Sequence, residues 1–262
     1  AALEFYTGSL GFRLDMIMPA DAPRLAIVSG YGLSLRLESP ARAPDPVSGN
    51  ERGLVISRMS DGAAWGQGRA EMLYRDLIPD RLGGKFIASH IRITEGGPVP
   101  DYVHYHKIRF QMIFCRRGWV RVVYEDQGPE FVMHAGDCVL QPPEIRHRVL
   151  ESSAGLEVVE IGTPAEHETW RDHDLALPSA AVRPARDFGG QRFVRHVAAE
   201  AVWRRSEEGF EYRDCGIGEA THGVASVRVL RGIVPALPLR HAGEFLFLYV
   251  LSGGLTLRSE SH

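Results

Sequence analysis

Turn-forming clusters recur at short intervals between residues 83 and 163: Glu95-Gly96-Gly97-Pro98, Arg116-Arg117-Gly118, Asp126-Gln127-Gly128-Pro129, Ala135-Gly136-Asp137 and Gln141-Pro142-Pro143. The runs between them are short and strand-like. Regular short strands at this spacing point to a β-sandwich or barrel, an architecture that closes or shields its own sheet edges. On this stretch lie His104-Tyr105-His106, then Gln111, and after a longer interval His147.

Strand side chains alternate faces, so the His-x-His pair sends both imidazoles to one side and Tyr105 to the other. Gln111 stands at an odd offset from His106, so a bend or bulge over Lys107 to Arg109 is needed to bring its amide round. A single histidine is more often a surface or core residue than a ligand. Three imidazoles and an amide oxygen in one register are another matter. They suit one divalent transition metal, whether Fe, Zn, Ni, Mn, Co or Cu, with positions left for water or substrate. Because these donors are neutral, the full charge of the ion is retained and draws an anionic ligand such as an enolate, carboxylate or catecholate.

These residues resemble the two short motifs of the cupin superfamily. In the first motif, Gly97 precedes His104, His106 is followed by four residues and Gln111, and six more lead to Gly118. In the second, Gly136 is followed by five residues and Pro142, with His147 in the histidine position. There are departures: Gln111 stands for the usual Glu, Glu144 for the second Gly, and Glu151 for the Asn. One extra residue separates Gly97 from His104. The resemblance covers roughly residues 83 to 163. It implies a jelly-roll barrel and a metal held by His104, His106, Gln111 and His147. It further implies an enzyme, most directly a dioxygenase-type oxidoreductase acting on a small anionic or enolisable compound. The alternative within the same superfamily is a non-catalytic metabolite-binding or sensing module, because fold alone does not decide function.

A repeat extends this pattern. His106 to Gly118 aligns without gaps on His241 to Gly253, an offset of 135 residues. Leu239 then replaces His104 and Leu246 replaces Gln111, so only His241 survives of the first-motif ligands. The sequence thus predicts a mainly β chain of duplicated jelly-roll barrels, the second degenerate and incomplete.

The first residues differ in character. Ala1 to Leu10 reads as a helix ended by Gly11, followed by short strands over Phe12–Met18, Leu25–Ser29 and Leu33–Glu38. The run Glu4 to Leu14 resembles half of a glyoxalase and bleomycin-resistance (vicinal oxygen chelate) module, of βαβββ type. That resemblance offers Glu38 as a ligand position, although a solvated strand end in a structural or dimer-forming segment is the simpler reading. The expected divisions are a 1–39 module, a 40–80 linker and irregular segment with a short strand at Leu54 to Ser57, a cupin domain over 81–165, a 166–185 linker, and a second cupin domain over 186–262. His167 and His173 fall in the second linker and are expected to face solvent. The chain opens inside a helical run and stops within the second repeat, so both ends read as clipped.

Around the first site, Tyr102 shares the parity of His104 and is a candidate catalytic hydroxyl or an aromatic filler at the barrel mouth. Strand alternation from His147 turns Arg146 and Arg148 outward and Val149 and Glu151 inward, which makes Glu151 a candidate for orienting a ligand histidine. Ile113 and Cys115 are expected to line the interior, and Arg109 is a candidate anion clamp. The formal net charge of −3 gives no basic footprint for nucleic acid or an anionic membrane. No apolar run is long enough to span a bilayer. Three cysteines without paired spacing suggest reduced thiols and a cytoplasmic setting. The expected partner is a small-molecule substrate or ligand, with a homodimer by analogy to other jelly rolls.

Overall fold

The structure, a computed structural model, describes residues 2–39, 54–62, 64–232 and 241–258. Contacts divide the chain into two units, one formed by 1–201 with 214–228 and the other by 202–213 with 229–262. The first is a mainly β body dominated by two large antiparallel sheets. One sheet runs from edge to edge through Phe131–His134, Trp119–Tyr124, His147–Ser152, His104–His106, Thr169–Arg171, Arg13–Met18, Leu25–Gly30 and Leu33–Glu38. The other runs through Val194–His196, Cys138–Leu140, Phe110–Arg117, Leu156–Thr163, Ile87–Ile93, Leu73–Asp76 and Gly66–Gln67.

The two sheets pack through residues whose alternation buries one face. Val120, Val122 and Tyr124 come from the first sheet, and Ile91, Cys115 and Val158 from the second. Each such side chain contributes about 1.5–3 kcal/mol on removal from water. All three cysteines are buried, and no disulfide joins them among the described residues. Among the described residues, no helix is long and apolar enough to cross a membrane.

The N-terminal helix, expected over Ala1 to Leu10, is a helical turn at Ala2–Glu4 that continues as a π-helical turn over Phe5–Ser9. Its three strands appear where expected, but they do not form a separate module. Arg13–Met18 pairs with Thr169–Arg171, so the N-terminal strands extend the histidine-bearing sheet. The same pairing corrects the reading of 166–185 as a linker, because Thr169–Arg171 is sandwiched between Arg13–Met18 and His104–His106. In the 40–80 segment, residues 40–53 lie outside those described. Leu54 to Ser57 forms no strand, whereas Leu73–Asp76 pairs with Ile87–Ile93 and carries Gly66–Gln67 at its other edge. That segment is therefore part of the second sheet.

In the second unit, Arg204–Arg205 pairs with Glu211 and Tyr212, and Arg231 meets Glu211 at 2.8 Å and the Trp203 ring at 4.0 Å. Residues 241–258 carry no strand. Leu246, Leu248 and Val250 are exposed there, so the repeat keeps its alternation without a described ladder to pair with. Of the expected second barrel, Leu239 lies outside the described residues.

The motif departures at Gln111 and Glu144 have separate structural outcomes. Glu144 takes φ +60°, the left-handed conformation that favours glycine, at the turn before His147. Its exposed side chain leaves the turn intact, and its N–H donates to the His106 carbonyl at 3.1 Å. A side chain in that region costs about 1–2 kcal/mol, partly cancelled by the entropy a glycine adds to the unfolded chain. Glu144→Gly is thus expected to raise stability by about 0.5–1 kcal/mol in chemical denaturation; a loss of stability would show that the turn is held by the glutamate side chain.

Candidate metal centre

His104 and His147 face each other directly across neighbouring antiparallel strands. His106 lies two residues along on the same face, which gives ring-centroid separations of 4.2 Å for His104–His147, 5.2 Å for His104–His106 and 5.3 Å for His106–His147. All three imidazoles are buried, and one ligand nitrogen from each lies within 4.8 Å of the others.

Their outer nitrogens are already engaged. His104 Nδ1 donates to the Tyr102 carbonyl at 2.8 Å and His147 Nδ1 to the Ile145 carbonyl at 2.9 Å. A carbonyl can only accept, so the proton resides on Nδ1 in both rings and Nε2 carries the lone pair. His106 Nδ1 meets the Thr169 hydroxyl at 2.9 Å, a contact created by the strand pairing of His106 with Thr169. Fixing the outer nitrogen in this way sets tautomer and ring orientation in histidine metal sites. Burial lowers His104 and His106 well below the ordinary imidazole range, and lowers His147 to about 4. The rings are consequently neutral at physiological pH. The donor chemistry of the three rings, and the tautomers of His104 and His147, fit one borderline divalent ion.

Gln111 arrives by a route that differs from the expected bulge. Residues 107–109 carry the chain from one sheet to the other, so Gln111 enters the interior from the facing sheet. Its amide nitrogen donates to Glu160, and Gln111 lines the same cavity as His106 and His147. Burial raises Glu160 above the usual carboxylate range, opposed by that hydrogen bond.

A cavity of about 110 Å³ adjoins the centre. His106, Gln111, His147, Glu160, His167 and Arg69 supply polar groups, and Ile91, Ile93, Val122, Met133 and Val158 supply apolar walls. Val149 and Ile113 line it as alternation indicated; Cys115 instead joins the hydrophobic core. Pro19 to Asp21, from the N-terminal hairpin, line it as well.

Other expectations are corrected. Glu151 turns away to pair with Arg121 at 2.7 Å, because a bulge sets Val122 opposite Val149 but Arg121 opposite Glu151, reversing the parity between them. Arg109 is exposed, its N–H donating to the Thr163 carbonyl at 2.9 Å and its carbonyl accepting from Gln191. Glu38 is an exposed strand end paired with Arg36. Tyr102 sits edge-on to His104 with centroids 5.9 Å apart, between Arg69 and Arg171, and it does not line the cavity.

His167 is buried, not solvent-exposed, with its ring 5.3 Å from that of His106. His173 pairs with Asp15 at 3.0 Å. Asp101, three residues before His104, accepts from the Tyr102 and Val149 amides at 2.8 and 2.9 Å and from Arg69. The three-residue strand that follows His167 is too short for a periodic signal. The Asp101–His104 spacing was visible in the sequence; nothing there singled out Arg69.

No family model matches the sequence, and no curated protein sequence matches it. Among solved structures, the polyketide cyclase RemF from Streptomyces resistomycificus is 20% identical over 47% of this chain and 88% of that one, with a TM-score of 0.38. An RmlC-like cupin from Shewanella frigidimarina NCIMB 400 is 21% identical over 42% and 90%, with a TM-score of 0.35. The formate complex of Lactobacillus farciminis oxalate decarboxylase is 12% identical over 59% and 57%, with a TM-score of 0.41.

Burial of neutral imidazoles links stability to pH. Between the ordinary imidazole value of 6.5 and the folded value of about 4 for His147, the unfolded chain binds the proton and the folded one does not. Stability therefore falls as pH drops through that window, by about 3 kcal/mol for His147 alone at the lower end. Denaturation from pH 7.5 to 4.5 is expected to show this slope in the wild type and a shallower one in His147→Asn; parallel slopes would mean that His147 is not held neutral.

Proposed function

We propose that the protein is a metal-dependent enzyme, an oxidoreductase of dioxygenase type, acting on a small anionic or enolisable compound. The observation that supports this reading is the convergence of three buried imidazoles, with Nδ1–H of His104 and His147 committed to carbonyls so that their Nε2 atoms carry lone pairs, that of His104 accepting from Arg69 until an ion takes it. With the Gln111 amide oxygen they would hold one divalent ion. Bound there, it would supply Lewis acidity toward a substrate oxygen and make the adjoining proton easier to remove.

The chain's own residues account for the remaining roles. His167 donates Nδ1–H to the Pro164 carbonyl at 3.1 Å, so its Nε2 is the basic atom. Burial lowers its pKa and keeps it unprotonated at neutral pH, ready to accept a proton from an enolisable substrate. The apolar walls exclude water, which strengthens every charge interaction within the cavity. A buried base beside the ligand set favours catalysis over a purely sensing role. The volume suits a small substrate as well: an apolar cavity of about 150 Å³ holds benzene, and this one is about 110 Å³.

Freshly purified protein is expected to contain about one equivalent of transition metal, lost in His104→Ala; elemental analysis showing no metal in the wild type would falsify the metal-dependent reading. Oxygen uptake across a panel of small enolic acids tests the reaction class. In His167→Gln, metal content is expected to persist while turnover falls about 10²-fold or more, the scale of losing a positioned base; unchanged turnover would remove His167 from the chemistry.

A further inference from the structure

Arg69 supplies the only guanidinium among the described residues lining the cavity. Its side chain is 10% exposed, and that of its partner Asp101 is fully buried. Nη1 donates to Asp101, Nη2 donates to His104 Nε2 at 3.0 Å, and Nε is buried without a hydrogen-bond partner. In a guanidinium, Nε–H and one N–H of Nη2 project from the same edge, and such an edge matches the two oxygens of a carboxylate. Here one of those donors is unsatisfied. The other rests on a lone pair that a bound ion would take.

The surrounding backbone is built to bring Arg69 to this place. At Gly68 a Cβ would come within 2.6 Å of the Tyr74 ring and 3.0 Å of the Asp21 carbonyl, so only glycine lets the chain pass so closely. Ala70 and Glu71 follow at φ +52° and +61°, left-handed conformations that carry strain and tend to persist where surrounding structure imposes them. Asp101 is held by two backbone amides and fixes the guanidinium from its far end. Burial opposes the Arg69 charge, but Asp101, Tyr74 and Tyr102 together more than offset it.

We propose that the Nε–Nη2 edge of Arg69 is a carboxylate clamp, and that the natural substrate of the centre is a small carboxylate oriented by it. The proposal rests on the enzymatic reading above and adds the residue that recognises the substrate and the chemical class recognised. The carboxylate meets paired charge-assisted donors in a water-poor cavity, while its short remainder lies against Ile91, Val122 and Val158. A neutral isostere of the same shape lacks the charge that the clamp selects.

The test is calorimetric titration of the full chain with acetate and with its neutral isostere acetamide, on samples whose metal content is measured. The wild type is expected to bind acetate at least about tenfold more tightly than acetamide. In Arg69→Met the acetate affinity is expected to fall about 10- to 100-fold, the loss that accompanies charged hydrogen bonds, with acetamide within about twofold of wild type. Arg69→Lys keeps a cation opposite Asp101 and hence the fold, but lacks the fork; it is expected to lose most of the same preference. Equal acetate affinity in all three proteins, or a parallel loss for acetamide, overturns the clamp. If the wild type carries no metal, the metal-dependent reading falls, and the same titrations still decide the role of Arg69.

Discussion

Strand register is what gathers the centre. Pairing His147 opposite His104, and Thr169 opposite His106, fixes where three imidazoles stand and supplies one of their anchors in the same step. A one-residue slip in either pairing would send the affected side chains to the opposite face. Trp119–Tyr124, anchored in the core by Val120, Val122 and Tyr124, pairs with the strand that carries His147 and holds that strand in register. Core packing and ligand placement are therefore the same constraint.

That constraint brings an electrostatic consequence. Buried imidazoles that must stay neutral need their N–H protons satisfied locally, and the carbonyls of Tyr102 and Ile145 do this from within two residues of each ring. The lone pairs left over would be costly in an empty apolar interior. His104 meets this by accepting from Arg69, and the cost of burying the Arg69 charge is met in turn by Asp101. Asp101, Arg69 and His104 thus form one chain in which each buried group compensates the next.

Strand alternation made much of this site legible in the sequence, but only where a strand stays in one sheet. His104 and His106 share a face for that reason, and Val149 follows His147 inward. The rule fails at two local events it cannot see: the crossing at residues 107–109, which delivers Gln111 from the other sheet, and the bulge between Val149 and Glu151, which turns the glutamate out. His167 was hidden differently, since Thr169–Arg171 is too brief to show a period and gains its identity only from two neighbouring strands. Arg69 sits in a turn set by Gly68 and two left-handed residues, where side-chain direction depends on tertiary contact and on no repeating pattern.

The motif-bearing stretch supplies the ligands, but much of what distinguishes this cavity comes from outside it. Pro19 to Asp21 reach the cavity from the N-terminal hairpin, whose strands join the sheet only because Thr169–Arg171 offers them an edge. Arg69 and Tyr74 reach it from the segment before the motifs, and Asp21 and Arg81 tie these two insertions together by an ion pair. Size and charge of the cavity can consequently change while the histidine register is untouched. This is the physical form of the general rule that a fold carries a site without fixing its substrate: here the geometry of the histidine cluster belongs to the sheets, and much of the cavity lining belongs to the segments laid beside it.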